Sequence, residues 1–381
     1  MADADVDAVV AGHICLDIVP KFGQLTGSSV GEILRPGKLL EVGAAHFSTG
    51  GPVSNTGLAL RRLGVNVSLM GKCGEDPFGD ILRNKLRQEA PSAEQGMVVA
   101  GGANTSYTIV LVPPGIDRIF LHCPGANDTF GADDVDIDLV GRARLFHFGY
   151  PPLMKRMYSD GGEELASLFQ RVREQGTLTS LDMALPDPDS EAGRADWPQI
   201  LERTLPAVDI FLPSAEEILY MLRRDRFDKL QDSEGGALDG LTAEDLAGVA
   251  GDCIRMGAGI VVIKCGDLGA YLQTADDPGL AGFVPDADIW RGVSMFEPTC
   301  RVDDIMSTVG SGDSSIAGFL TAFLQDESPE RCMQFLTVVG AQNLSAMGAV
   351  GGIRSWAESV EQVNARPPKN PVPERLRPLV P

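Results

Sequence analysis

The chain has 381 residues, 44% hydrophobic and 22% charged, the balance of a soluble globular protein with room for one large α/β domain or two ordinary ones. A formal net charge of -21 argues against a general nucleic-acid or anionic-membrane surface, since both need clustered Lys and Arg. A phosphate site survives that exclusion, because a nest of backbone N–H groups works without net positive charge.

Seven cysteines lie scattered with no Cys-x-x-Cys, so neither a zinc site nor a full disulfide framework is expected. The acidic start, Met1-Ala2-Asp3-Ala4-Asp5, lacks a signal peptide's basic and apolar regions, and no apolar run is long enough to span a bilayer. A cytoplasmic protein with free thiols is the expectation.

In chain order, residues 8–17 form an apolar β-rich segment that places Asp17 near the carboxyl end of a parallel strand, where ligands sit in open α/β sheets. Asp17 as a solvated loop acid is the alternative. Residues 22–46 are glycine-rich and aperiodic, which predicts short strands and turns. Gly50-Gly51-Pro52 then opens a helix that Gly64 ends, with Asn55 on the first turn where its amide can meet a ligand. A strand over 65–70 follows, and Asp76-Pro77 reads as N-cap and N1 of a helix over 77–90.

Residues 107–112 and 118–122, joined by a turn over 113–117, read as a hairpin. With no helix nearby it is expected to join the strands before His46 in a small sheet apart from the main body. Strands over 145–148, 178–183, 207–212 and 259–264 then alternate with helices over 162–175, 215–222 and 243–256. Such alternation implies a mostly parallel sheet covered on both faces. Residues 223–240 look like an exposed polar insertion, 278–298 like a loop-rich excursion, and a last long helix runs from Ser328-Pro329 through Asn343 to about Met347. The proline-rich residues 366–381 predict an extended or disordered tail.

The most informative stretch is Gly310-Ser311-Gly312-Asp313, ahead of Ile316, Phe319, Leu320 and Phe323 at the spacing of a buried helix face. A Gly-x-Gly turn at a helix start aims backbone N–H groups at one spot, where the helix dipole also favours negative charge. Asp313 sets a carboxylate beside that anion hole. The pair suits phosphoryl transfer to a hydroxyl, with N–H groups for developing phosphate charge and the carboxylate for the proton. An ordinary helix start with a dipole-favoured Asp is the alternative.

Gly50-Gly51 with Asn55, Gly74-Glu75-Asp76-Pro77-Phe78-Gly79, Gly266-Asp267-Leu268-Gly269 and Gly310-Ser311-Gly312-Asp313 come in an order that resembles the ribokinase-like (PfkB) carbohydrate kinases. The resemblance spans about residues 6–356. It implies an α/β fold, a three-layer α/β/α sandwich with a mostly parallel central sheet and a small β-sheet lid. The main domain is expected over 1–13, 49–96 and 128–365 and the lid over 14–48 and 97–127. It also implies ATP with Mg²⁺ and phosphorylation of a hydroxymethyl group of a sugar or sugar acid. By the match, Asp313 is the base, Gly310, Ser311 and Gly312 the anion hole, and Asp17, Gly50, Gly51 and Asn55 the sugar contacts. Lys264, Gly266, Gly269 and Asn343 fall on the nucleotide side and Glu217 on the metal side. A homodimer through the lid sheet would follow the family's habit.

Four positions depart from the family pattern, one being Ser315, which stands for an aromatic two residues after the base. Ser214-Ala215-Glu216-Glu217 stands for Asn-x-x-Glu, and it is also a capping box. Ser307 replaces an acidic residue tied to monovalent-cation activation, so potassium dependence is not expected. Cys15 stands where ribokinases proper carry a sugar-contacting Asn, which disfavours ribose. A nucleoside kinase using His13, Phe47 and Tyr150, and a non-catalytic sugar- or nucleotide-binding relative, are the competing expectations.

Overall fold

The computed structural model describes residues 6–23, 30–91, 95–113, 119–232, 236–346 and 348–380. Among the described residues thirteen strands form two sheets. In chain order they are β1 Ala8–Gly12, β2 Cys15–Pro20, β3 Ala45–Gly50, β4 Val67–Gly74, β5 Gly96–Ala100, β6 Tyr107–Leu111 and β7 Ile119–Cys123. There follow β8 Leu145–Gly149, β9 Leu178–Asp182, β10 Ile210–Phe211, β11 Ile260–Lys264, β12 Gly269–Thr274 and β13 Ser294–Pro298. The main sheet has the order β13-β12-β11-β10-β9-β8-β1-β4-β5, and a four-stranded lid sheet has the order β3-β2-β6-β7. From β11 to β5 every neighbouring pair is parallel, while β12 runs antiparallel to both β11 and β13.

The central strands read as continuous apolar runs because both their faces are covered, as parallel sheets require. In β1, Ala8 and Val10 join a core with Ile316 and Phe319, whereas Val9 and Ala11 join a second core with Phe146, Leu168 and Phe169. That alternation, period two along a strand with helices on either side, makes the three-layer α/β/α sandwich.

Several expectations need correction. Residues 8–17 are not one strand: the chain breaks at Gly12, φ 122, where a Cβ would stand 2.5 Å from the Gly149 carbonyl oxygen. Asp17 therefore lies within β2 of the lid sheet, inside the expected 14–48, rather than at the carboxyl end of a main-sheet strand. In residues 22–46 the described part holds a short helix, Val30–Ile33, with no strand before Ala45. The second lid excursion starts later than residue 97, because β5 pairs with β4 in the main sheet. The β6–β7 hairpin forms, although residues 114–118 of its turn lie outside the described residues. The strand over 207–212 shrinks to two residues, and the last long helix ends at Leu344.

Polar composition also misleads in two places. Residues 223–240 hold a helix, Arg224–Gln231, that buries Phe227 and Leu230 against the second core. The tail folds back: Leu376 is fully buried, the Arg375 guanidinium donates to the Leu238 and Leu241 carbonyls, and Lys369 pairs with Glu297 at 2.6 Å. All seven cysteines are unpaired. Among the described residues no helix is long and apolar enough to cross a membrane.

Candidate active site

The helix Ser311–Leu324 begins at Gly310, whose φ of 72 closes the turn, and a Cβ there would stand 2.7 Å from that of Ala349. Only glycine combines that backbone with that contact. The Ser311 N–H goes to the Thr308 carbonyl, while no backbone carbonyl takes the Gly312 or Asp313 N–H among the described residues. Space opens in front of Gly312, where a Cβ would meet only the Lys264 stem, at 3.9 Å.

Asp313, in the first turn, is 3% exposed and held by three donors. Asn55 Nδ2 donates to Oδ2 at 2.9 Å, Thr56 Oγ1 to Oδ1 at 3.4 Å, and the Tyr150 hydroxyl reaches both oxygens at 3.0 and 3.2 Å. Burial raises the Asp313 pKa, and the Asn55 hydrogen bond, Lys264, Tyr150 and Thr56 all oppose that rise. Asn55 and Thr56 arrive here because Gly51, at φ 86, starts the helix Pro52–Arg62 against the base.

The lid supplies the opposite wall. A Cβ on Gly50 would lie 2.5 Å from an Asp17 carboxylate oxygen, so the glycine admits the acid. Cys15 Sγ donates to Asp17 Oδ1 at 3.4 Å and lies 3.6 Å from Thr108 Oγ1, itself 3.0 Å from His122 Nδ1. Burial pushes the Asp17 carboxyl up to about 6, against hydrogen bonds from Cys15 and Thr108, with the Asp313 charge adding to the rise.

On the far side, Lys264 Nζ donates to Asp182 Oδ1 and to the Leu212 carbonyl, each at 2.6 Å. Burial raises the Asp182 carboxyl while Lys264 holds it down. Ser214 and Glu217 form the capping box: the Ser214 N–H donates to Glu217 Oε2 at 2.6 Å and the Glu217 N–H to Ser214 Oγ at 3.2 Å. Burial raises the Glu217 carboxyl and Lys264 lowers it. Among the described residues no group of three or more His, Cys, Asp or Glu gathers for a metal. Single carboxylates such as Glu217 and Asp182 suit a Mg²⁺ that keeps several waters and is carried mainly by substrate phosphates.

Asp17 thus abuts Gly50, Gly51 starts the helix whose Asn55 donates to Asp313, and Lys264 stands beside Gly312 and acts on Asp313. The remaining expected residues do other work. Gly266 and Gly269, at φ 55 and 135, turn the chain from β11 into β12, and a Cβ on Gly269 would stand 2.2 Å from the Glu297 carbonyl oxygen. Asn343 is fully buried and donates to the Val309 carbonyl at 2.7 Å, bracing the Gly310 turn from behind. Ser307 Oγ accepts from the Val309 N–H at 3.2 Å and shapes the same turn.

Thr56 escapes motif reasoning, while Tyr150 and Lys264, expected as a nucleoside contact and on the nucleotide side, are found bonded to Asp313 and Asp182. For Tyr150 the available signal was a glycine followed by a ring at the end of each of two central strands, Gly12-His13 and Gly149-Tyr150, whose glycines are register partners. Phe47, the proposed nucleobase contact, packs half-buried against the first core.

Residues 8–356 match the family model described as pfkB family carbohydrate kinase. An uncharacterized sugar kinase of Archaeoglobus fulgidus is 28% identical over 296 residues, covering 78% of this chain and 98% of that protein. Fructokinase-2 of Zea mays is 24% identical, covering 92% of each. Among solved structures, a fructokinase with bound ATP from Xylella fastidiosa superimposes with a TM-score of 0.69 at 18% identity, over 94% of this chain and 98% of that one. Arabidopsis thaliana ribokinase complexed with ribose and ATP gives 0.69 at 15% identity, with the same coverage.

Proposed function

The chain belongs to the pfkB family of carbohydrate kinases, and from that premise we propose that it transfers the γ-phosphoryl group of ATP to a hydroxymethyl group of a sugar or sugar acid. One observation carries the site assignment: a buried carboxylate, Asp313, stands in the first helical turn beside the Gly310–Gly312 backbone, with Asp17 of the lid facing the same space. Asp17 and Asn55 orient the acceptor, and Asp313 takes the proton of the attacking hydroxyl. A bond forms from that oxygen to the γ-phosphorus as the bond to the β–γ bridging oxygen breaks, and ADP leaves. The Gly312 and Asp313 N–H groups meet the charge on the moving phosphoryl oxygens. Lys264 adds a fixed positive charge behind them. Glu217 and Asp182 are the residues that would hold Mg²⁺ through water, and the metal's contribution when bound is to neutralise charge on the phosphate oxygens.

Relatives named fructokinase favour a sugar acceptor over a nucleoside. Incubation with MgATP and a panel of sugars, sugar acids and nucleosides, read by ADP release and by mass of the product, tests the assignment. A phosphorylated sugar or sugar acid is expected. Nucleoside monophosphate as the product, or binding of ATP with no ADP released from any acceptor, contradicts it.

A further inference from the structure

We propose that His13, facing His122 of the lid, recognises the acceptor, and that the class it selects is an uncharged polyol rather than a sugar acid or sugar phosphate. The proposal rests on the kinase assignment above and narrows the acceptor for that same site.

His13 leaves β1 just after Gly12, and Tyr150 leaves β8 just after Gly149. At β1 the strand order reverses, with β4 and β5 laid on one side and β8 onward on the other. Ligands of open α/β sheets bind in the crevice at such a switch point. The His13 ring centroid is 5.2 Å from that of His122 and 6.1 Å from that of Tyr150. Contacts then run on from His122 through Thr108 and Cys15 to Asp17, and from Tyr150 to Asp313. The two imidazoles complete a ring of contacts around the space between the lid acid and the base.

Among the described residues neither ring nitrogen of His13 has a hydrogen-bond partner, although the side chain is only 2% exposed. Buried polar groups are nearly always paired, so an orphaned imidazole at a ligand crevice points to a ligand group as its partner. Gly51 keeps the ring in place: a Cβ there would come within 2.6 Å of His13 Nδ1.

Charge then selects the ligand. Burial, with the nearby His122, favours the neutral form of the His13 imidazole. A neutral imidazole offers one donor and one acceptor, which match a hydroxyl. It brings no charge to a carboxylate or phosphate, which would here face Asp17 and Asp313. Lys264, the cation acting on Asp313, is already bound to Asp182 and the Leu212 carbonyl. Arg62 and Lys85 line a cavity of about 210 Å³ that Asn55 also lines, and Arg62 there is committed to Glu89 and the Val350 carbonyl.

The test compares ADP release with D-fructose, D-ribose and myo-inositol against D-gluconate and fructose 6-phosphate, for the wild type, His13→Phe and His13→Gln. The wild type should turn over a neutral acceptor in preference to both anions. His13→Phe, which keeps a ring but no nitrogen, should raise the acceptor KM about tenfold, with a smaller change in kcat and an unchanged KM for ATP. His13→Gln should recover part of the loss. If His13→Phe fails to fold, His122→Ala on the exposed lid strand should show the same split. Preference for an anion, which would assign the Arg62 and Lys85 cavity to it, or an unchanged acceptor KM in the folded variants, overturns this proposal alone. Silence across the whole panel overturns the kinase assignment and this proposal with it.

Discussion

The Tyr150 hydroxyl bridges both oxygens of Asp313, at 3.0 and 3.2 Å, from a residue held at φ 63. An aromatic residue in the left-handed region costs about 1–3 kcal/mol, and such strain clusters at functional sites. Here the strained turn at the end of β8 aims a phenol at the base. That hydrogen bond favours the carboxylate over the carboxylic acid, whereas burial does the reverse.

Tyr150→Phe should therefore raise the pKa of Asp313. Because the base works as the anion, the acid limb of the kcat/KM profile should move to higher pH, with activity lost first at low pH. A profile whose acid limb stays where it is in the wild type would contradict the link.

Lys264 and Asp182 form the buried ion pair beside the anion hole, with side chains 13% and 2% exposed. Lys264→Met strands the acid and should cost about 3–5 kcal/mol of stability near pH 8. The cost should shrink toward pH 5, since protonating the stranded acid is easier there. Urea unfolding at the two pH values measures it, and the double variant Lys264→Met/Asp182→Leu should recover most of the loss. Equal stability of Lys264→Met and wild type at pH 8 would refute the pairing.

Asp17 illustrates the conflict between binding and stability. Its folded pKa of about 6 lies above the ordinary carboxyl value, so the unfolded chain gives up its proton first as pH rises. The resulting penalty grows between about pH 4 and 6 and levels off above, at about 3 kcal/mol. Asp17→Asn should stabilise the protein by up to that amount at pH 8, little at pH 4, and weaken acceptor binding. Thermal melts across pH check the sign; a destabilised variant at pH 8 is the contrary result.

Gly310 should tolerate no side chain. Gly310→Ala adds strain at φ 72 and a clash with Ala349, and should cost about 1–3 kcal/mol in stability. It should also lower kcat more than it raises the acceptor KM, because the displaced turn carries the N–H groups that meet the phosphoryl oxygens. A variant with wild-type kcat would separate the turn from the chemistry.

What can be read without the fold is what depends on neighbours in the chain. The Asp76 cap is local and forms as expected, with Oδ1 accepting from the Gly79 N–H at 2.8 Å. The Ser214–Glu217 capping box and the Gly310–Asp313 helix start are equally local. Residues 8–17 mislead as a single segment because their pattern is largely apolar; the lid boundary after residue 13 comes from the resemblance, and the conformation of Gly12 gives its physical reason. Tyr150 and His13 gain their roles from the pairing of β1 with β8, which no spacing announces. The tail reads as loose from its prolines, yet one buried side chain, Leu376, with the Arg375 hydrogen bonds, is enough to anchor it.

Asp313→Asn tests the central claim most directly. Asparagine keeps the shape and can still accept from Asn55 or Tyr150, but cannot take the acceptor's proton. Single-turnover and steady-state rates with the best acceptor from the panel should fall by about 10²–10⁴-fold, with ATP affinity and the melting transition little changed. A folded Asp313→Asn enzyme that retains near-wild-type kcat would show that another group carries the proton.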